Sequence, residues 1–196
     1  MSSAMRTVSA FSPATPTFTD GWNHWGLTAT GLIAWTGASI DPLALAWAPP
    51  LGSKTGGCQS LGGLPDAECT PGALNPAVTQ ETIHTTICQP GYSTRIRPPT
   101  SYTTPLERQL IAAYGYVGRS PADFELDHLI SLELGGHPRD PANLWPQPWT
   151  GALNARNKDL VEGYLNRQVC SGAMPLSEAQ RLEATDWVSV YRQLRP

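Results

Sequence analysis

Lysine is almost missing from this chain. Of the 13 basic residues among 196, only Lys54 and Lys158 are lysines, and the other 11 are arginines. Charge of both signs is scarce: 15% of residues are charged, against about 25% in an average soluble protein. The net charge is −3, which excludes a protein that holds nucleic acid by a general basic surface. The four cysteines, Cys58, Cys69, Cys88 and Cys170, form no C-x-x-C pair, which argues against a cysteine-based zinc knuckle. No uninterrupted apolar run reaches the ~20 residues of a membrane span. The stretch from Gly26 to Ala48 comes nearest, but its Thr and Ser residues and Asp41-Pro42 break it, so no membrane span is expected. What the chain does have is Gly 18 and Pro 19, hence many turns and short elements, and 40% apolar residues, enough for a core. The length fits one domain, or one smaller domain plus an arm.

The few charges are unevenly spread. Residues 1–57 carry only Arg6, Asp20, Asp41 and Lys54, and they hold four of the seven tryptophans, Trp22, Trp25, Trp35 and Trp47. Residues 58–196 have the ordinary texture of a soluble domain. The linker-like run Pro49-Pro50-Leu51-Gly52-Ser53 marks the boundary. The segment 1–57 reads in two ways. One is a degenerate export segment, with small-x-small patterns at Ala44-Leu45-Ala46 and Ala46-Trp47-Ala48. The other is a low-charge, Trp-rich N-terminal arm. An even cysteine count is compatible with two disulfides, Cys58 with Cys69 and Cys88 with Cys170 being the preferred pairing of three. The second bridge would close a loop of about 80 residues, worth roughly 4 kcal/mol in the chain-entropy model. Export to a secreted or periplasmic location suits such bridges; free thiols in a cytoplasmic protein are the alternative.

Several helices are legible. Thr79 is a fair N-cap for a short helix through Ile87. Thr104 and Pro105 open a helix over Pro105–Tyr114, with Leu106, Leu110, Ile111 and Tyr114 as its apolar stripe and Gly115 as its stop. A last helix starts after Ser177, and Ala179, Leu182, Trp187, Val190, Tyr191 and Leu194 are its core face.

The chemistry lies in Glu125-Leu126-Asp127-His128-Leu129-Ile130-Ser131-Leu132-Glu133-Leu134-Gly135-Gly136-His137 and in Asp140-Pro141-Ala142-Asn143-Leu144-Trp145. The first run alternates like a strand, Gly135-Gly136 is a turn signal, and Asn143-Leu144-Trp145 returns as a second strand. Beyond Gly151, Leu153, Asn157, Leu160, Val161, Tyr164 and Leu165 fall on one side of a helix to about Gln168. On a regular strand Asp127 and His128 point to opposite faces, so they serve one site only where the strand ends or twists. Asn157 falls near the centre of the helix's apolar face and Asn154 near its edge, and a buried amide there needs a partner or a ligand, a metal ion being one.

Asp127-His128, a Gly-Gly loop, Asn143-Leu144 and a following helix together resemble the HNH (His-Asn-His) endonucleases, the ββα-metal group, over roughly residues 123–168. Trp145-Pro146-Gln147-Pro148, Lys158-Asp159, Glu162, Val169-Cys170 and Ala179-Gln180 further resemble a small bacterial subgroup lacking the zinc-binding cysteine pairs. The resemblance implies an α+β fold: a ββα-metal hairpin-helix module with flanking helices and a loop-rich N-terminal part. It implies a metal-dependent endonuclease that hydrolyses phosphodiester bonds in DNA or RNA, leaving a 5′-phosphate and a 3′-hydroxyl. His128 would be the general base, its neutral imidazole suited to the task, and Asn143 would orient it and brace the loop. Asp127 would hold a divalent ion together with a helix asparagine, Asn154 first and Asn157 otherwise. Such oxygen-rich ligands favour Mg²⁺ or Mn²⁺, with Zn²⁺ less suited. Phosphate contacts would come from Arg156, Lys158 and Arg139, with Arg95 and Arg97 as further candidates. The chain departs from the pattern at the helix position, which is not a histidine, and at Ser131, where many relatives have proline. Trp145 and Trp149 read as core or wall, and His137 as a surface residue of the loop. Two rival functions stay open: a catalytically inactive nucleic-acid-binding module, and an envelope or surface interaction protein using the Trp-rich arm. The oligomeric state is not legible.

Overall fold

The computed structural model describes Gly26–Leu27, Ile33–Ala34 and residues 52–195. The chain divides into two units, Met1–Ile40 and Asp41–Pro196. In the first, β1 (Gly26–Leu27) pairs antiparallel with β2 (Ile33–Ala34). The rest of the Trp-rich stretch, up to residue 51, lies outside the described residues, and so do the small-x-small patterns.

Among its described residues the second unit is mixed α+β, with four helices and one two-stranded antiparallel hairpin. The helices are α1 (Tyr92–Ile96), α2 (Thr100–Ala113), α3 (Ala155–Cys170) and α4 (Leu176–Leu194). The hairpin joins β3 (Phe124–His128) to β4 (Leu144–Pro148), with Asp127 opposite Trp145 and His128 opposite Leu144. β4 carries Pro146 and Pro148, which a two-stranded hairpin tolerates because each strand has a free edge. Helices α3 and α4 pack on each other around Val161, Leu165, Val169, Ala179 and Trp187, all fully enclosed.

Local chemistry shifts two of the expected helices. Residues 79–87 form turns and one short 3-10 segment, Ile83–Thr85. Thr82 Oγ1 accepts from the Thr79 N–H at 2.8 Å and donates to the Ala77 carbonyl at 2.9 Å. Such threonine bonds offer the backbone partners that compete with a helical ladder. Helix α2 starts at Thr100 and not at Pro105. The N–H groups of Tyr102 and Thr103 already bond to the Pro99 carbonyl, and Pro105, which has no N–H to give, rides inside the helix. Its end is as expected: Gly115 takes φ +69°, a conformation glycine adopts without a Cβ penalty.

Two cysteine pairs lie at disulfide distance, Cys58–Cys69 at 2.05 Å and Cys88–Cys170 at 2.00 Å. This is the pairing preferred from the sequence. The second ties the turn region before α1 to the last residue of α3. Among the described residues no helix is long and apolar enough to cross a membrane.

Candidate functional site

Strand β3 delivers two neighbouring side chains to different surroundings. Asp127 points at its cross-strand partner, and the Trp145 indole N–H donates to Asp127 Oδ2 at 3.2 Å. His128, the last residue of the strand, turns toward the loop. Its Nε2 lies 3.1 Å from the Pro138 carbonyl. A carbonyl only accepts, so Nε2 carries the proton and the neutral ring keeps its lone pair on Nδ1. Burial, with the Arg97 and Lys158 charges nearby, drives the His128 pKa down to about 4, against the pull of the Pro138 bond. The imidazole is therefore neutral at physiological pH.

The loop after His128 is fastened at each residue. Asn143 is fully buried and does this twice with one side chain. Its Oδ1 accepts from the Ile130 N–H at 2.9 Å, and its Nδ2 donates to the Ile130 carbonyl at 2.9 Å and to the His137 carbonyl at 3.2 Å. Its main-chain carbonyl takes the Leu129 N–H at 2.9 Å. Glu183, from α4, accepts the Ser131 N–H at 2.9 Å. These contacts tie the Asn143 side chain to Ile130 and His137 across the loop. His137 is half-buried and its Nδ1 accepts from the N–H groups of Arg139 and Asp140, so it caps the loop from within.

Helix α3 corrects one expectation. Lys158, expected at a phosphate, is fully enclosed. Its ammonium lies 3.1 Å from Asp127 Oδ2, 2.6 Å from Glu162 Oε1 and 3.5 Å from Glu183 Oε1, and it donates to the His128 carbonyl at 2.8 Å. Burial disfavours the charge, yet the carboxylates of Asp127, Glu162 and Glu183 outweigh it and hold the ammonium well above its ordinary pKa. The enclosed face of the helix is Ala155, Lys158, Val161, Leu165 and Val169, whereas Leu160, expected inside, is 59% exposed.

The asparagines expected beside Asp127 are spent elsewhere. Asn154 is the N-cap of α3: its Oδ1 accepts from the Asn157 N–H at 3.1 Å and its Nδ2 donates to the Gly151 carbonyl at 2.8 Å. Asn157 Nδ2 donates to the Ala152 carbonyl at 2.8 Å. Among the described residues no three His, Cys, Asp or Glu side chains converge into a set that could hold a metal ion. Asp127, Asn154 and Asn157 thus do not fit a divalent ion as arranged, because an ammonium already occupies the carboxylate and the amides complete a helix cap.

The remaining basic candidates are on the surface. Arg156 lies over the Trp149 ring at 5.6 Å, Arg139 over Tyr102 at 5.6 Å, and Arg95 over Tyr92 at 5.9 Å. Arg97 is exposed at the end of α1, within electrostatic reach of His128. Trp145 is core, 1% exposed, and Trp149 a half-buried wall.

Two acids went unnoticed as site groups. Glu183 stands at i+4 from Ala179 and i−4 from Trp187 on the enclosed face of α4, a spacing that marked it as inward. Glu125 pairs across the hairpin with the fully buried Gln147. Burial, with Asp127, Asp159 and Glu162 nearby, pushes the Glu125 carboxyl up to about 7. Comparison of the chain with protein families, with curated proteins and with solved structures gives no match.

Proposed function

We propose that this chain is an HNH-like endonuclease that hydrolyses phosphodiester bonds in DNA or RNA, with His128 as the general base. The observation that carries the reading is the His128 imidazole: one tautomer set by the Pro138 carbonyl, the lone pair left on Nδ1, and the backbone around it locked by Asn143. A neutral imidazole held this way takes a proton from water as the water attacks phosphorus. Asn143 is a positioning residue, and the exposed Arg97, Arg139 and Arg156 are the groups for phosphate, to which a guanidinium binds bidentately. With a net charge of −3, binding is local and falls steeply with salt. The two disulfides suit an oxidising compartment, hence a secreted or periplasmic protein. The divalent ion implied by the resemblance was assigned to Asp127 with Asn154 or Asn157, and these side chains are engaged instead by Lys158, Gly151 and Ala152.

The test is incubation of supercoiled plasmid and of RNA with the full chain, with Mg²⁺, Mn²⁺, Zn²⁺ or EDTA. The wild type is expected to nick or cleave, and His128→Ala to lower the rate roughly 100-fold or more while its melting curve stays cooperative. Substrates left intact under every condition would remove the reading. One observation favours a second one, a module that binds nucleic acid without cutting it: His128 is only 6% exposed. That reading expects salt-sensitive retention of labelled nucleic acid with no cleavage.

A further inference from the structure

We infer that Lys158 supplies the resident cation of the hairpin-helix module, its ammonium holding the place at Asp127 that the HNH resemblance assigns to a divalent metal ion. The inference goes beyond the nuclease reading and does not depend on it.

The geometry is that of a coordinated cation. Four oxygens from three elements surround one nitrogen: Asp127 Oδ2 and the His128 carbonyl from β3, Glu162 Oε1 from α3, and Glu183 Oε1 from α4. The distances, 2.6 to 3.5 Å, are those of ammonium hydrogen bonds and ion pairs, longer than the ~2.0–2.6 Å of Mg²⁺ or Ca²⁺ to oxygen. The side chain is fully enclosed, so the ammonium has no solvent position to exchange with. Its removal would leave buried carboxylates without a counter-charge, which is why breaking such an arrangement is far costlier than forming it is rewarding.

One ammonium faces three carboxyl groups, those of Asp127, Glu162 and Glu183. The tether matters as well. A diffusible ion stabilises a fold by an amount that grows only as the logarithm of its concentration over its dissociation constant and vanishes when the ion is removed. A lysine on α3 is present at every metal concentration. It joins β3 to α3 and α4 at the residue where His128 leaves the strand, and it does so in a helix whose first turn offers no histidine ligand.

The experiment uses the full oxidised chain, dialysed against EDTA and then exposed to ~1 mM Mg²⁺, Mn²⁺ or Zn²⁺. Thermal unfolding and bound-metal content are the readouts, with Mn²⁺ immobilisation followed by electron paramagnetic resonance. The expected wild-type result is a Tm unchanged within about 1 °C between EDTA and each metal, with no stoichiometric Mn²⁺ retained. Lys158→Met, which keeps the apolar stem and deletes the charge, is expected to lower Tm by roughly 10 °C or to leave the chain unfolded. Two results would overturn the inference: one equivalent of divalent metal bound by the wild type and lost in Asp127→Asn, or a Lys158→Met chain that melts at the wild-type temperature. The first of these would strengthen the nuclease reading while sinking this one, whereas an inactive but metal-free and stable wild type would do the reverse.

Discussion

At Gly136 the chain has no room for a side chain. A Cβ there would stand 1.7 Å from the Ile130 carbonyl oxygen and 2.7 Å from Asn143 Nδ2. The residue is therefore part of the same loop brace as Asn143, because any side chain would push apart the two groups that lock the segment after His128. Gly136→Ala is expected to destabilise the chain by more than about 3 kcal/mol, among the larger single-residue effects, and to lower the proposed nuclease activity through misplacement of His128. Denaturant unfolding checks the first; an unchanged midpoint would mean that the loop relaxes freely. The Asp-His pair, the Gly-Gly turn and the returning Asn were legible as residues, because their spacing alone brings them to one loop. The enclosure of Lys158 was not read. Its spacing to Val161 and Leu165 on the inward face carried the signal, but the ordinary preference of lysine for solvent argued the other way.

At the scale of elements, the hairpin and α3 matter most, and the cap of α3 links them. The first N–H groups of any helix lack intrahelical partners, and Asn154 supplies one while its own amide fastens to Gly151. Asn154→Ala is expected to cost about 1 kcal/mol of stability without changing bound-metal content. A loss of metal binding in that variant would reinstate Asn154 as a ligand. The strand-loop-strand-helix order and the inward face of α4 were readable from periodicity and spacing, whereas the disulfide pairing was one preference among three. The start of α2 and the broken helix at residues 79–87 were not. In both places local polar bonds and proline, which act within a few residues, decided against the longer-range pattern.

At the scale of the whole molecule, the buried acids and the buried imidazole set the pH response. Burial pushes the Glu183 carboxyl to about 8 and Glu125 to about 7. Such groups hold protons in the folded chain that the unfolded chain has released. Their contribution is complete below the ordinary value of 4.5 and is lost as pH rises through 7 and 8. His128 has the opposite sign: its contribution is complete above 6.5 and is lost as pH falls through about 4. The two slopes oppose each other between 4.5 and 6.5, and above that window only the acids act. Melting temperature is therefore expected to fall from pH 6.5 to beyond pH 8, with a shallower fall in Glu125→Gln. A Tm that holds level or rises over that range would contradict the buried-acid account.

Sequence alone determined which residues could do chemistry and in what order they arrive, since spacing along a strand, a turn and a helix is a property of the chain. Only the tertiary structure decided what each of them faces. Asp127 meets an ammonium from α3 that is also held by Glu183, an α4 residue 56 positions beyond Asp127 in the chain. Nothing in local periodicity encodes that meeting, because the cost of burying a charge is settled only when every element around it has docked.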